Sequence, residues 1–326
     1  MPWSFVKGQA TSSRARRLAL SLIGAVVVVV GVTFLAFLLS YLSPTDPATQ
    51  YFSSKGVAPS ADALAAKRAE MGLDRPFFVQ YVDWISAMVQ GDMGASYKTG
   101  RSVANSLMGC LPYTLALTLC AMALTLVIAV PLGLLCAYRK DSALDRAVRG
   151  VSYLFCSLPS FFVALVLLYV LSVRLHLFSV SASGPLGIVM PTLSLALPMS
   201  AWYVRQVRVV ALGQLSRGYV EGLRSRGIPE RTILTRHVLR NSLVPLLSLV
   251  GISLGSLFGG SAIVECIFSW PGVGNLAVAA INSRDYTVVQ AYALVMALVY
   301  LIVNWLVDVA YRAVDPRIRL KGAVRS

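Results

Sequence analysis

The chain has 326 residues and a formal net charge of +15, yet 13% of its residues are charged and 57% are hydrophobic. An ordinary soluble domain is about 25% charged, so this sparse charge does not cover a soluble surface. The basic residues sit between long apolar runs, which excludes the continuous wet basic face that a nucleic-acid binder requires.

A helix crosses the hydrocarbon core with about 20 mainly apolar residues. Six runs free of Asp, Glu, Lys and Arg meet that length: residues 18–42, 111–138, 151–173, 186–204, 242–264 and 286–307. The first follows Arg14, Arg16 and Arg17, as a signal peptide would, but it exceeds a normal h-region and no A-x-A site follows. It reads as a retained helix.

The loop over residues 43–110 carries two helix signals. Ser60 caps a helix running to Met71 and closed by Gly72. A second starts near Pro76, places Phe78, Val82, Ile85 and Val89 at helical spacing, and ends near Gly91. The loop's six basic residues are matched by six acidic ones, so the expected lobe is not polybasic. It reads as a cap over a pathway or a partner-docking element, with plain loop packing as the alternative.

Pro112 and Pro131 bracket the second run, and Pro191 and Pro198 interrupt the fourth. Such breaks mark bends beside a pathway or bends that serve packing alone. A seventh uncharged run, 266–283, contains Trp270-Pro271-Gly272-Val273-Gly274-Asn275, punctuation that predicts a turn or re-entrant element.

Alternate connections differ in basic charge. The N-terminus, the 139–149 loop, the 205–240 segment and the C-terminal tail hold 21 Lys and Arg, against 8 on the other side. Loops rich in these residues stay in the cytoplasm, so both termini are expected there. In the 205–240 segment, a helix ends with Arg224 and Arg226 in its last turn and Gly227 as left-handed cap. A second helix is expected from Pro229, with Glu230 in its first turn and Arg236 and Arg240 towards its end. This predicts a helix-turn-helix elbow over about residues 213–241. Retention of positive charge explains the arginines but not the placement of Glu, Gly and Pro.

Cys110, Cys120, Cys136, Cys156 and Cys266 show no CxxC spacing and read as apolar fillers. His176 and His237 fall in different connections, which disfavours a protein-built metal site. No lysine follows a glycine, so a GxxxxGK[ST] phosphate loop is absent. The six runs hold no ionisable group of the kind an ion-coupled transporter uses, Glu265 and Asp308 lying at run ends. No clustered carboxylates or histidines suggest a membrane enzyme.

Glu221 and Gly227 match the cytoplasmic signature of ABC-importer permeases (EAA, three residues, then Gly), with Gly222 and Leu223 replacing the alanines. Over nearly its whole length the chain resembles the dipeptide, oligopeptide and nickel branch of these permeases. The carrying stretches are Pro44-Thr45-Asp46-Pro47-Ala48, Gly72-Leu73-Asp74-Arg75-Pro76, Gly91-Asp92-Met93-Gly94, Leu158-Pro159-Ser160-Phe161, Arg236-His237-Val238-Leu239-Arg240-Asn241, Phe268-Ser269-Trp270-Pro271-Gly272-Val273-Gly274, Arg284-Asp285-Tyr286 and Asp315-Pro316-Arg317-Ile318-Arg319.

The resemblance implies an inner-membrane complex of two different permeases, two cytoplasmic ATPases and an external solute-binding protein. No cofactor is expected in this chain; ATP and Mg belong to the ATPases. The short connection over residues 174–185 looks more like nickel and metal-chelate permeases than dipeptide ones.

The expected fold is therefore all-α with six transmembrane helices. It comprises a cytoplasmic N-terminus (1–17), a first span (18–42), an external lobe (43–110), a permease core with the elbow (111–320) and a tail (321–326). Glu221, Gly227, His237, Arg240 and Asn241 are the expected ATPase-coupling residues. Trp270, Pro271 and Gly272 form an external turn, read as a gate or docking surface, with loop rigidity as the alternative. No residue is assigned to the solute.

Overall fold

The computed structural model describes residues 5–44, 46–181, 184 and 186–314. The Asp315 to Arg319 stretch and the 321–326 tail lie outside the described residues, as do Thr45 and positions 182, 183 and 185. The described chain is helical; its β pairing is one isolated bridge between Ala95 and Ser102.

Thirteen α-helices follow in order: α1 (Phe5–Tyr41), α2 (Pro47–Ser54), α3 (Ala61–Glu70), α4 (Phe77–Val89), α5 (Val103–Tyr138), α6 (Ala143–Ser157), α7 (Ser160–Leu167), α8 (Val189–Leu215), α9 (Gly218–Ser225), α10 (Glu230–Thr232), α11 (Leu239–Ile267), α12 (Val273–Asn282) and α13 (Tyr286–Val314). Two π-helical stretches, Leu168–Arg174 and Ile233–Val238, extend α7 and join α10 to α11.

Four described helical segments are long and apolar enough to cross a membrane: Leu22–Tyr41, Val103–Tyr138, Glu230–Ile267 and Tyr286–Tyr311. A bent pair, Ala143–Ser157 with Ser160–Arg174, brings the number to five if it forms one span.

The expected continuous helix over 151–173 is corrected here, because the chain bends by 99° between those two segments. Pro159 disfavours helical geometry in the residue before it, and Leu158 is extended at φ −89°, ψ 125°. Pro191 and Pro198 do not interrupt their helix. Pro191 occupies the first turn of α8, where no N–H is needed, and α8 continues through Pro198 for 27 residues. Pro112 and Pro131 likewise lie inside α5.

The chain divides into two compact units. One contains residues 1–111 and 276–302 among its segments. Its lobe helices carry the expected caps: Ser60 accepts from the Ala63 N–H at the start of α3, and Gly72 takes φ +67° just past its end. The lobe is fastened to the start of α13 by the Gln50 amide donating to the Ser283 carbonyl at 2.7 Å and the Ser96 hydroxyl donating to buried Asp285 at 2.6 Å. A Ser43–Tyr286 hydroxyl contact lies beside them.

The other unit, residues 112–275 and 303–318, packs α8 against α6, α7 and α11. Gly133 lets α5 approach α8 closely, since a Cβ there would stand 2.6 Å from the Val207 Cβ.

Candidate functional site

The elbow begins where α8 ends at Leu215 and α9 turns away over Gly218–Ser225. A Schellman motif closes α9: the Gly227 N–H donates to the Arg224 carbonyl at 2.9 Å and the Ile228 N–H to the Leu223 carbonyl at 3.2 Å. Gly227 has φ +73°, and nothing lies within 4 Å of a Cβ built on it. The glycine is there for backbone conformation alone.

One side of the elbow is apolar. Val220, Ile233 and Val238 form a buried cluster with Leu134, Val207 and Leu246, and Tyr219, Leu223 and Ile228 pack against it. The other side is exposed and polar, carrying Glu221, Arg224, Ser225 and Arg226. Arg224 meets Glu230 across the turn, with Nε–Oε1 at 2.5 Å and Nη2–Oε2 at 3.3 Å. This hydrogen bond raises the Arg224 pKa above its usual value.

The second arm departs from expectation. Arg236 and Arg240 do not sit near a helix end, because α10, the π stretch and α11 run on to Ile267. No glycine stop or pre-proline break separates residue 236 from the apolar run, and the helix passes through Pro245. His237 is half-buried in the π stretch, while Arg240 and Asn241 are exposed at the beginning of α11. Thus Glu221 and Gly227 lie on the first arm and the other three expected residues lie on an arm continuous with a membrane-length helix.

The 268–272 turn joins α11 to α12, and Glu265, which sequence reasoning placed merely at a run end, is its anchor. Its carboxyl is fully buried. Oε1 accepts from the Thr114 hydroxyl at 2.8 Å and the Ser261 hydroxyl at 3.1 Å, and Oε2 from the Asn275 N–H at 3.0 Å. Thr114 in turn accepts from the Val273 N–H at 2.9 Å, which directs its own proton to Glu265.

Trp270 Nε1 donates to the Tyr113 carbonyl at 3.0 Å, and the two rings meet edge-on at 5.7 Å. Pro271 is exposed. Gly272 is buried, and its Cβ would stand 2.4 Å from Glu265 Oε2; that of Gly274 would stand 2.6 Å from the Ala262 Cα. These glycines are required for space. The small residues of Trp270-Pro271-Gly272-Val273-Gly274, following a glutamate at the end of an apolar run, were the available signal for this anchor.

A second buried carboxylate also escaped sequence reasoning. Asp145, near the start of α6, takes a bidentate pair from Arg208 on α8, Nε–Oδ1 and Nη2–Oδ2 both 2.7 Å, and the Asp141 N–H at 3.0 Å. Ser142 caps α6 by accepting from the Asp145 N–H. The brace holds α6 to α8 one helical turn before Ala211 and the elbow cluster.

Residues 129–320 match the family of the binding-protein-dependent transport system inner membrane component, and residues 15–118 match the N-terminal region of such membrane components. The chain is 32% identical over 293 residues to the metal-staphylopine import system permease protein CntB of Staphylococcus aureus (strain Mu50), covering 89% of this chain and 94% of that protein. It is 34% identical over 306 residues to the oligopeptide transport system permease protein AppB of Bacillus subtilis, covering 90% and 96%.

The nickel import system permease protein NikB of S. aureus (strain MRSA252) is 33% identical over 300 residues, with 92% and 90% covered. Among solved structures, the MetNI methionine ABC transporter in an inward-facing conformation superposes with a TM-score of 0.56 at 21% identity, covering 64% of this chain and 96% of that chain. That likeness concerns the fold. The chain therefore belongs to the family of inner-membrane components of binding-protein-dependent transport systems, as a permease subunit of an ABC importer.

Proposed function

We propose that this permease forms half of a translocation pathway for nickel or another metal-chelate complex, delivered by an external binding protein. A second, homologous permease supplies the other half. Two cytoplasmic ATPase subunits bind ATP and Mg and carry out hydrolysis. Both termini and the elbow face the cytoplasm, and the bent α6–α7 pair and α8 complete six spans with the four long ones.

The observation that carries the coupling reading is the continuity of the elbow with α11. An ATPase gripping the exposed face around Glu221 and Gly227 would push on an arm that is itself the extension of a 38-residue helix, Glu230–Ile267. The Trp270-Pro271-Gly272 turn, at the opposite end of that helix, would then face the binding protein. The solute reading is supported by the likeness to CntB and NikB; peptides are the second reading, supported by the comparable likeness to AppB.

Deletion of the gene should lower uptake of labelled nickel, measured with and without small organic chelators. Unchanged metal uptake together with lost peptide uptake would assign the peptide reading instead. Uptake driven by an imposed proton gradient without ATP would contradict both.

A further inference from the structure

We propose that α4 is a membrane-embedded helix, lying in the leaflet at the C-terminal end of α1 with Phe78 and Val82 against lipid acyl chains. The inference rests on membrane insertion of α1, and stands apart from the identity of the solute.

Depth is the first argument. Tyr81 of α4 reaches Thr33 Oγ1 at 3.0 Å and lies 3.5 Å from the Val30 carbonyl. Thr33 Oγ1 also lies 2.8 Å from the Val29 carbonyl, to which it donates. Thr33 and Val30 lie in the middle of the apolar segment Leu22–Tyr41. Val30 stands eleven residues before Tyr41, about 16 Å along the helix axis at 1.5 Å per residue. That is about half of a hydrocarbon core near 30 Å thick. A tyrosine side chain does not span such a distance from a helix lying above the membrane.

The packing is continuous between the two levels. Phe77 contacts Phe34, Phe37 and Tyr41, with ring centroids 5.0–5.7 Å apart. Tyr81 contacts Phe34 and Phe37 at 5.5 Å, and Trp84 contacts Phe37 at 5.6 Å.

The remaining faces of α4 fit that location. Phe78, Val82 and Val89, spaced along one side, are 69%, 58% and 83% exposed. Exposed Leu35 and Leu39 belong to α1 at the same level of its apolar segment, so the lipid-facing surface of α1 extends onto α4. On a different side of α4, Gln80 and Asp83 line a 690 Å³ cavity with Asp46, Arg68 and Arg75. Asp83 pairs with Arg75 at 2.7 Å. Apolar residues on one side and a polar face turned to a cavity on another fit a helix within the bilayer, whose ionisable groups face the cavity and not the lipid.

The test uses the assembled transporter reconstituted in bilayers, in a background whose five cysteines are replaced by serine or alanine. Spin labels at Phe78→Cys and Val82→Cys should be relaxed by oxygen and protected from water-soluble chromium oxalate. A label at Asp83→Cys should show the reverse, with oxygen-to-chromium accessibility several-fold lower than at Val82→Cys. Chromium oxalate reaching both 78 and 82 would overturn the proposal in favour of a water-facing lobe. Protection of both from either reagent would overturn it in favour of a protein partner. Val89→Cys serves the same comparison if Phe78→Cys fails to assemble.

Discussion

The elbow after α8 and the turn after α11 both redirect the chain beside a glycine, but for different physical reasons. Gly227 stands in open space and is required by a φ of +73°. Gly272 is packed against Glu265 and Thr114 and is required by volume. The elbow is held by backbone caps and a buried apolar underside, leaving its charged face exposed. The turn is held from within by a buried carboxylate that accepts three hydrogen bonds. The elbow thus keeps its polar groups outside, and the turn draws a carboxylate inward.

That contrast sets an order of effects. Glu265→Ala should be the most damaging, because it strands the Thr114 hydroxyl and the Asn275 N–H in a buried site. Unsatisfied buried groups cost about 1–3 kcal/mol each, so a loss of about 3 kcal/mol is expected, read as a lower unfolding temperature of the purified complex. Glu265→Gln should recover part of it, since the amide oxygen still accepts but its NH₂ faces donors.

Gly272→Ala comes next. A Cβ 2.4 Å from Glu265 Oε2 forces the anchor to shift, with overpacking worth about 1–3 kcal/mol. Thermal unfolding and protease sensitivity within residues 268–275 should both report it.

At the elbow the stability effects should be smaller. Gly227→Val introduces φ strain of about 1–2 kcal/mol without a clash, so circular dichroism should show an intact helical protein. Arg224→Gln removes an ion pair whose partners are 47% and 33% exposed, and exposed pairs contribute about 0–1 kcal/mol. Its unfolding temperature should be nearly unchanged. If Gly227→Val were to unfold the complex as readily as Gly272→Ala, the distinction between conformation and volume would fail.

Much of this architecture was legible because its determinants are local. Ser60, Gly72 and Gly227 stop or start helices by chemistry contained within a few residues, and the turn before Val273 is written in Pro271 and Gly272. What was not legible depends on neighbours distant in sequence. Asp145 and Arg208 are 63 positions apart, and Glu265 finds Thr114 across 151. Hydropathy alone joined residues 151–173, because it counts charge and ignores the extended Leu158 before Pro159. The second elbow arm was expected to end near Arg240 from its arginines, yet dipole preferences worth about 0.3–1 kcal/mol do not stop a helix that has no breaker.

The most direct test of the coupling account compares Gly227→Val with Gly227→Asn, since asparagine tolerates the left-handed conformation. ATP-dependent, binding-protein-dependent uptake would be measured in proteoliposomes alongside the amount of ATPase that co-purifies. The account predicts wild-type permease abundance in both, with ATPase docking or uptake lost in Gly227→Val and largely retained in Gly227→Asn. Wild-type transport by Gly227→Val would contradict it.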